Sequence, residues 1–244
     1  MKLLSILLLC ASTLFGGEFT NGVFYIDAPM NGLIVSQTGE LTNKFEAGGT
    51  YEVGNRLIEL RPIQKSTIFF SDGPIISTDE NSIFTISIFD QEVENINAKP
   101  QKAQFGTHVL GLSLVKGEFS IVYPNTNTNS AVNINTYYSD YELKGGNYYF
   151  RITGKSALVY VLEGNMNVHG GSSKPDSVNK GNLSLAIPFS DSDSGLDDKF
   201  INSFKKARPD EMERFTAPVL DTAKTIGNVG FFIIDGKIVG ISLK

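Results

Sequence analysis

The sequence predicts a mainly β protein: a β-solenoid-like or sandwich-like stack of short strands with a small C-terminal α+β appendage. Three observations support this fold class. Apolar residues recur on alternate positions in short runs, which is the period of a half-buried strand. Turn residues such as glycine, proline and aspartate separate these runs. The composition, 41% hydrophobic with 24 glycines, 17 phenylalanines and no tryptophan, is typical of a sheet protein with many turns.

The clearest strand pattern lies at residues 159–168. Apolar residues fall on alternate positions on both sides of the Glu163-Gly164 pair, at Val159, Val161, Met166 and Val168. We therefore expect two half-buried strands that are joined by a bend at this pair. Gly164 should have a positive φ there, because it has no Cβ atom to clash in that conformation.

Residues 1–17 have the layout of a secretory signal peptide. A positive start at Lys2 is followed by a short apolar run, and small residues extend to Gly17. The mature chain is expected to begin near Gly17 or Glu18. The protein is therefore predicted to be exported, to the periplasm or as a secreted protein.

Cys10 is the one cysteine of the chain and lies inside the predicted signal peptide. Leu9, directly before it, is too large for a lipoprotein signal, so we interpret Cys10 as part of the apolar signal core. The mature protein would then be free of disulfides, and its core alone would stabilise it. This is expected of a bacterial envelope or secreted protein rather than of a disulfide-linked extracellular module.

The rest of the chain divides into three predicted regions. Residues 18–65 are expected to form an N-terminal β meander that packs on the main module. Residues 66–190 are expected to form the main β domain, with a polar loop at 92–102. At 190–195 the composition changes to serine and aspartate, and residues 191–244 are predicted to form helices and a β-hairpin. The hairpin prediction rests on Asp235-Gly236 between two apolar runs.

Several stretches of the main domain resemble, in the same order, the FecR-like domain, an extracytoplasmic β module of exported bacterial proteins. The stretches are Leu112-Ser113-Leu114 with Lys116-Gly117-Glu118-Phe119, then Val132-Asn133-Ile134-Asn135-Thr136, then residues 161–168, then Val178-Asn179-Lys180-Gly181. The resemblance covers about residues 66–188. It implies a β module that binds something outside the cytoplasm, and that family has no catalytic residues to carry over.

A cupin is the main alternative fold, because Leu162-Glu163-Gly164 at the end of a strand is also similar to the cupin pattern. A metal-binding cupin needs several converging histidine and carboxylate ligands. The two histidines of this chain, His108 and His169, are far apart in sequence. We therefore predict no catalytic, cofactor-binding or metal-binding residues, and no cofactor.

Two other patterns have structural explanations. Gly154-Lys155-Ser156 is similar to the end of a phosphate-binding loop, but the first glycine of such a loop is missing, and we interpret the segment as a turn. Five tyrosines could form an aromatic platform for a sugar, although cross-strand packing is the more common role of tyrosines in strands. They are Tyr137, Tyr138, Tyr141, Tyr148 and Tyr149.

The predicted function is an exported, non-enzymatic FecR-like module for binding or signal sensing in the bacterial envelope. One alternative is a structural envelope or polysaccharide-binding protein, and another is a cupin-like enzyme that lacks the usual metal ligands. The expected partner is an envelope protein or a cell-surface glycan. A net charge of −5 argues against nucleic acid. After the signal peptide, no apolar run approaches the roughly 20 residues of a membrane span.

Overall fold

The computed structural model describes residues 18–36, 39–71, 74–94, 104–123, 129–169, 176–186, 229–234 and 237–242. All regular secondary structure in these ranges is β-strand, so the mainly β prediction is confirmed. The predicted signal peptide with Cys10, and the helices predicted between residues 191 and 228, lie outside the described residues. Within the described ranges, no helix is long and apolar enough to cross a membrane.

The strands vary in length from three to twenty residues. They are β1 Glu18–Asn21, β2 Val23–Ile26, β3 Met30–Ser36, β4 Gly39–Phe45, β5 Thr50–Glu52, β6 Leu57–Pro62, β7 Ser66–Phe70, β8 Ile75–Thr78, β9 Ile83–Glu94, β10 Gln104–Tyr123, β11 Ala131–Asn135, β12 Asp140–Ile152, β13 Ala157–His169, β14 Asp176–Asn179, β15 Leu183–Ala186, β16 Val229–Ile234 and β17 Lys237–Ser242.

The pairings of β1 to β15 divide into two layers. The first layer has the order β4-β3-β6-β9-β10-β11-β12-β13-β14, and β1 also pairs with β9. The second layer has the order β15-β13-β12-β10-β8-β7-β2-β5. Strands β10, β12 and β13 occur in both layers, because one part of each pairs in the first layer and the other part in the second. Only β10 and β11 pair in parallel among these strands.

Side-chain contacts show that the two layers face each other across one core. Four aromatic pairs join a ring of the first layer to a ring of the second, with centroids 5.4 to 6.2 Å apart: Phe24–Phe45, Phe70–Phe89, Phe84–Phe119 and Tyr141–Phe150. The larger of two clusters of buried apolar residues extends from Phe24 to Met166. This arrangement is a sandwich whose corners are formed by strands that pass from one sheet to the other.

The strands that turn these corners are strongly bent. His108 and Tyr123 lie at opposite ends of β10, yet the Tyr123 hydroxyl is 2.9 Å from Nε2 of His108. Tyr138 and Thr153 flank β12 on either side, and the Tyr138 hydroxyl donates to the Thr153 carbonyl oxygen at 3.3 Å. An extended strand of 13 residues would be roughly 40 Å long. Each of these strands therefore folds back across the core.

The alternation of buried residues changes phase at each corner. In β10, buried apolar side chains occupy even positions up to Leu114 and odd positions from Phe119 onward, and Gly117 with φ of 118° lies between them. In β13 the same change occurs between Val161 and Met166, around Gly164. A bulge adds one residue to a strand and increases its bend. The apolar side chains of both halves therefore face the same core.

The bend predicted at Glu163-Gly164 differs from the observed structure in one respect. Gly164 has the expected positive φ, 81°, but residues 157–169 form one strand rather than two. The reason is that the partner strand bulges at the same level. Gly146, which pairs with Gly164, also has a positive φ, so the ladder between β12 and β13 continues past the bend.

One local prediction was wrong, and one strand was missed. Residues 92–94, which were expected to open the polar loop at 92–102, belong to β9, and residues 95–102 lie outside the described residues. Strand β4 was not predicted, because its sequence GELTNKF has no apolar alternation and most of its residues are exposed. Strand β4 is mostly open to solvent, and there the hydrophobic period is weak.

Strands on both sides of residue 65 pair with one another. Strand β6 pairs with β9, and β2 pairs with β7.

Strands β16 and β17 form a separate two-stranded sheet with Ile234 opposite Lys237. The hairpin predicted around Asp235-Gly236 is therefore confirmed.

Candidate functional site

The loop between β11 and β12 presents the most exposed large apolar side chain of the described residues. Tyr137 is 89% exposed. The loop that carries it is held by Thr136, whose Oγ1 accepts hydrogen bonds from the backbone N–H groups of Tyr138 at 3.2 Å and Ser139 at 3.0 Å. The Thr136 N–H also donates to the Ser139 carbonyl oxygen at 3.0 Å. A threonine that bonds the backbone two and three residues on fixes a tight turn.

The loop between β12 and β13 has the same arrangement. Oγ1 of Thr153 accepts from the N–H groups of Lys155 and Ser156, both at 3.1 Å, and the Thr153 N–H donates to the Ser156 carbonyl oxygen at 2.9 Å. The segment Gly154-Lys155-Ser156 is thus a turn, as predicted. We call the segments 136–139 and 153–156 the twin loops.

The twin loops lie at the same end of the sandwich. The Tyr138 hydroxyl donates to the Thr153 carbonyl oxygen, and the ring of Tyr138 meets the ring of Tyr137 edge to face at a centroid distance of 5.2 Å. Tyr138 is therefore held between Tyr137 and the second loop. The contact between the two rings supports the exposed Tyr137 on a loop whose backbone is held by hydrogen bonds.

Polar side chains cover the adjoining face of β11, β12 and β13. Asn135 Nδ2 donates to Oδ1 of Asp140 at 2.9 Å, and Asn167 Nδ2 donates to Oε2 of Glu142 at 2.9 Å. These pairs arise because Asn135 lies opposite Asp140 and Glu142 opposite Asn167 in the register. Directly opposite residues on one sheet face are close enough to bond.

Glu142 is the centre of this polar face. Lys144 Nζ contacts its Oε1, and Nε2 of His169 lies 3.8 Å from its Oε2. Partial burial alone would raise the pKa of Glu142. Hydrogen bonds from Lys144 and Asn167, together with the charge of Lys144, outweigh that effect and lower the pKa below its ordinary value. Glu142 is therefore a carboxylate that is ionised at neutral pH.

The five tyrosines considered as a platform separate into two groups. Tyr141, Tyr148 and Tyr149 are buried, and only Tyr137 and Tyr138 reach the surface. The sequence could not make this distinction, because all five belong to strands or adjoin them. The repeated Thr-x-x-Ser spacing of the twin loops was a signal in the sequence that could have identified the turn carrying Tyr137.

The two histidines are not brought together. His108 is buried and bonds to Tyr123, and its backbone N–H donates to Oγ of Ser130 at 3.1 Å. His169 lies half-exposed beside Glu142. In the part of the chain that the structure describes, no three histidine, cysteine, aspartate or glutamate side chains are grouped so that they could hold a metal ion.

No protein-family model matches this chain, and no curated protein is significantly similar to it. Among solved structures, two crystal structures described as those of candidate anti-sigma factors from Parabacteroides distasonis are similar. The first is 10% identical with a TM-score of 0.38, and covers 77% of this chain and 100% of the other. The second is 9% identical with a TM-score of 0.32, and covers 71% of this chain and 92% of the other.

Proposed function

We propose that this protein is an exported, non-enzymatic binding module of the bacterial envelope, with a FecR-like β domain, and that it binds a cell-surface glycan. The observation that carries the proposal is Tyr137, which is 89% exposed on a loop that hydrogen bonds hold in place. A tyrosine ring offers an apolar face and a polar tip, which suits the mixed surface of a sugar.

The polar face beside Tyr137 supports a glycan as the ligand. Asn135, Asp140 and Asn167 offer amide and carboxylate groups that donate and accept hydrogen bonds, as sugar hydroxyls do. Cross-strand bonds already order these side chains, so a ligand would lose little side-chain freedom on binding. We call Tyr137 together with these three residues the tyrosine–amide surface.

The electrostatics of the site support binding rather than acid–base catalysis. A general acid at neutral pH needs a raised pKa, as burial or a like charge provides. Glu142 has a lowered pKa because Lys144 and Asn167 bond to it. Signal sensing through an envelope protein is the alternative form of this function, and the FecR-like resemblance of the strands favours it.

The test is retention of the purified chain on cell-wall polysaccharide, with the variant Tyr137→Ala. We expect the variant to bind about three- to tenfold more weakly, because an aromatic contact contributes about 0.5 to 1.5 kcal/mol beyond its buried area. Ile63→Ala is the matched control, since Ile63 is 52% exposed on another turn. Equal binding by both variants would contradict the glycan proposal. Turnover of the polysaccharide by the purified chain would contradict the non-enzymatic one.

Export is tested separately. We expect the protein recovered from the periplasm or the medium to begin near Gly17 or Glu18. N-terminal sequencing of that fraction measures this directly. Recovery from the cytoplasm alone, with residues 1–17 retained, would contradict it.

A further inference from the structure

Among the described strands, β4 forms a long edge of the first layer. It pairs with β3 over seven residues, and β3 is its only partner among the described strands. The other strands of the two layers that have one described partner have only three or four residues: β1, β5, β14 and β15. A sheet edge presents unpaired backbone N–H and C=O groups, to which another strand can add.

The side chains of β4 leave an apolar residue uncovered at this edge. Leu41 is 67% exposed, although alternation places it on the same face as the buried Phe45. Its cross-strand neighbour Ile34 packs only in part against the core. This end of β4 therefore extends past the core, and a strand added at the edge would cover Leu41.

The charges of β4 are arranged symmetrically about Thr42. Glu40 precedes Thr42 by two residues and Lys44 follows it by two, so all three side chains lie on one face of the strand. Both charged residues are exposed, and the described part of the chain gives neither of them an ion pair or a hydrogen bond to its side chain.

We propose that two copies of this chain form a symmetric dimer by antiparallel pairing of β4 with β4 of a second copy, centred on Thr42. In this register Glu40 lies opposite Lys44 of the second copy, and Lys44 lies opposite Glu40 of the second copy. The two Leu41 side chains become diagonal neighbours on the other face, within reach of each other. Such an interface is self-complementary, as a two-fold axis requires.

The charges of β4 favour this register over the registers that are centred on Asn43 or Leu41. Pairing centred on Asn43 would place Glu40 opposite Glu46 of the second copy, and like charges directly opposite are destabilising. Pairing centred on Leu41 would place Glu40 opposite Thr42 and leave both lysines without a carboxylate. Of these three registers, the one centred on Thr42 alone forms two opposite-charge pairs.

The test is sedimentation equilibrium of the purified chain and its charge variants. We expect a dimer for the wild type. Glu40→Lys turns both cross-strand pairs from attractive to repulsive, so the dissociation constant should rise about tenfold or more. Lys44→Glu should have the same effect. The double variant Glu40→Lys with Lys44→Glu restores both pairs and should dimerise like the wild type.

Glu80→Lys is the matched control, because Glu80 is exposed on the turn after β8 and the change in net charge is the same. A wild-type chain that stays monomeric at millimolar concentration would overturn the proposal. So would a dimer that Glu40→Lys and Glu80→Lys weaken equally. If Glu40→Lys fails to fold, Thr42→Lys gives a second test, since it places two lysines opposite each other in the proposed register. None of these outcomes depends on the glycan proposal.

Discussion

The hydroxyl group of Tyr148 lies 2.7 Å from the carbonyl oxygen of Asn165 in the neighbouring strand. It is also 2.7 Å from the carbonyl oxygen of Gly145 in its own strand. Gly145 and Asn165 both lie between the pairs Leu143–Met166 and Gly146–Gly164, where the regular ladder is interrupted. One buried hydroxyl therefore supplies a donor at the corner where both strands pass between layers.

The variant Tyr148→Phe removes this donor. We expect the free energy of unfolding to fall by about 0.5 to 1.5 kcal/mol, because the hydrogen bond of the hydroxyl is lost while the ring still fills its place. Denaturant unfolding measures the change. Tyr137→Phe is the control, since the exposed Tyr137 hydroxyl should contribute little. Equal midpoints for Tyr148→Phe and the wild type would contradict the role of the hydroxyl.

The variant Gly164→Val should be more damaging. The backbone at Gly164 has φ of 81°, and a Cβ atom there would clash with the Gly145 carbonyl oxygen. Strain in φ alone costs about 1 to 3 kcal/mol, and the clash adds to it, so we expect a loss of about 3 to 5 kcal/mol.

Gly154→Val is the matched control for Gly164→Val. Gly154 has no positive φ, and a Cβ atom built on it has no heavy atom within 4 Å. Its denaturation midpoint should stay close to that of the wild type. If both glycine variants unfold at the same denaturant concentration, Gly164 does not determine the corner.

Alkaline pH should destabilise the protein through buried tyrosines. Burial raises the pKa of Tyr141 from 10.0 to about 12. The folded chain therefore keeps a proton that the unfolded chain releases, so stability is complete below pH 10 and falls as the pH rises toward 12. One such tyrosine accounts for about 2 to 3 kcal/mol over this window.

Thermal melts between pH 9 and about 12 measure this effect, the upper limit being the raised pKa of Tyr141. Tyr141→Phe should make the fall in melting temperature with pH less steep, whereas Tyr137→Phe should leave the slope unchanged. A slope that Tyr141→Phe does not alter would show that other groups cause the alkaline transition.

Variants of the threonines in the twin loops separate an effect on stability from an effect on glycan binding. Thr136→Val and Thr153→Val each remove a hydroxyl that accepts two backbone N–H groups, so each should cost about 0.5 to 1.5 kcal/mol of stability. Only Thr136 holds the loop that carries Tyr137. Thr136→Val should therefore weaken binding to cell-wall polysaccharide more than Thr153→Val does. Equal binding by the two variants would indicate that the glycan binds at a surface other than the loop that carries Tyr137.

The sequence was informative where one strand face is buried. Val159, Val161 and Met166 identified the core-facing positions of β13, and Gly164 was correctly expected to have a positive φ. The odd spacing between Val161 and Met166 was an unused sign of a bulge, because an uninterrupted strand keeps its buried side chains on positions of one parity.

Other features could not be predicted because they depend on contacts between distant parts of the chain. The approach of Tyr138 to Thr153 follows from the bend of β12, which requires the bulge of β13 opposite it. The edge strand β4 has polar residues on most positions, so its sequence has no hydrophobic period from which its pairing with β3 could be predicted.

Strands β10, β12 and β13 belong to both layers, and this has a consequence for how the protein unfolds. Neither sheet can separate from the other without breaking the ladders of three strands, so the sandwich has no plane along which it could open. The halves of β10 before and after Gly117 should lose their amide protection together in hydrogen exchange. The corners thus make two sheets into one cooperative unit.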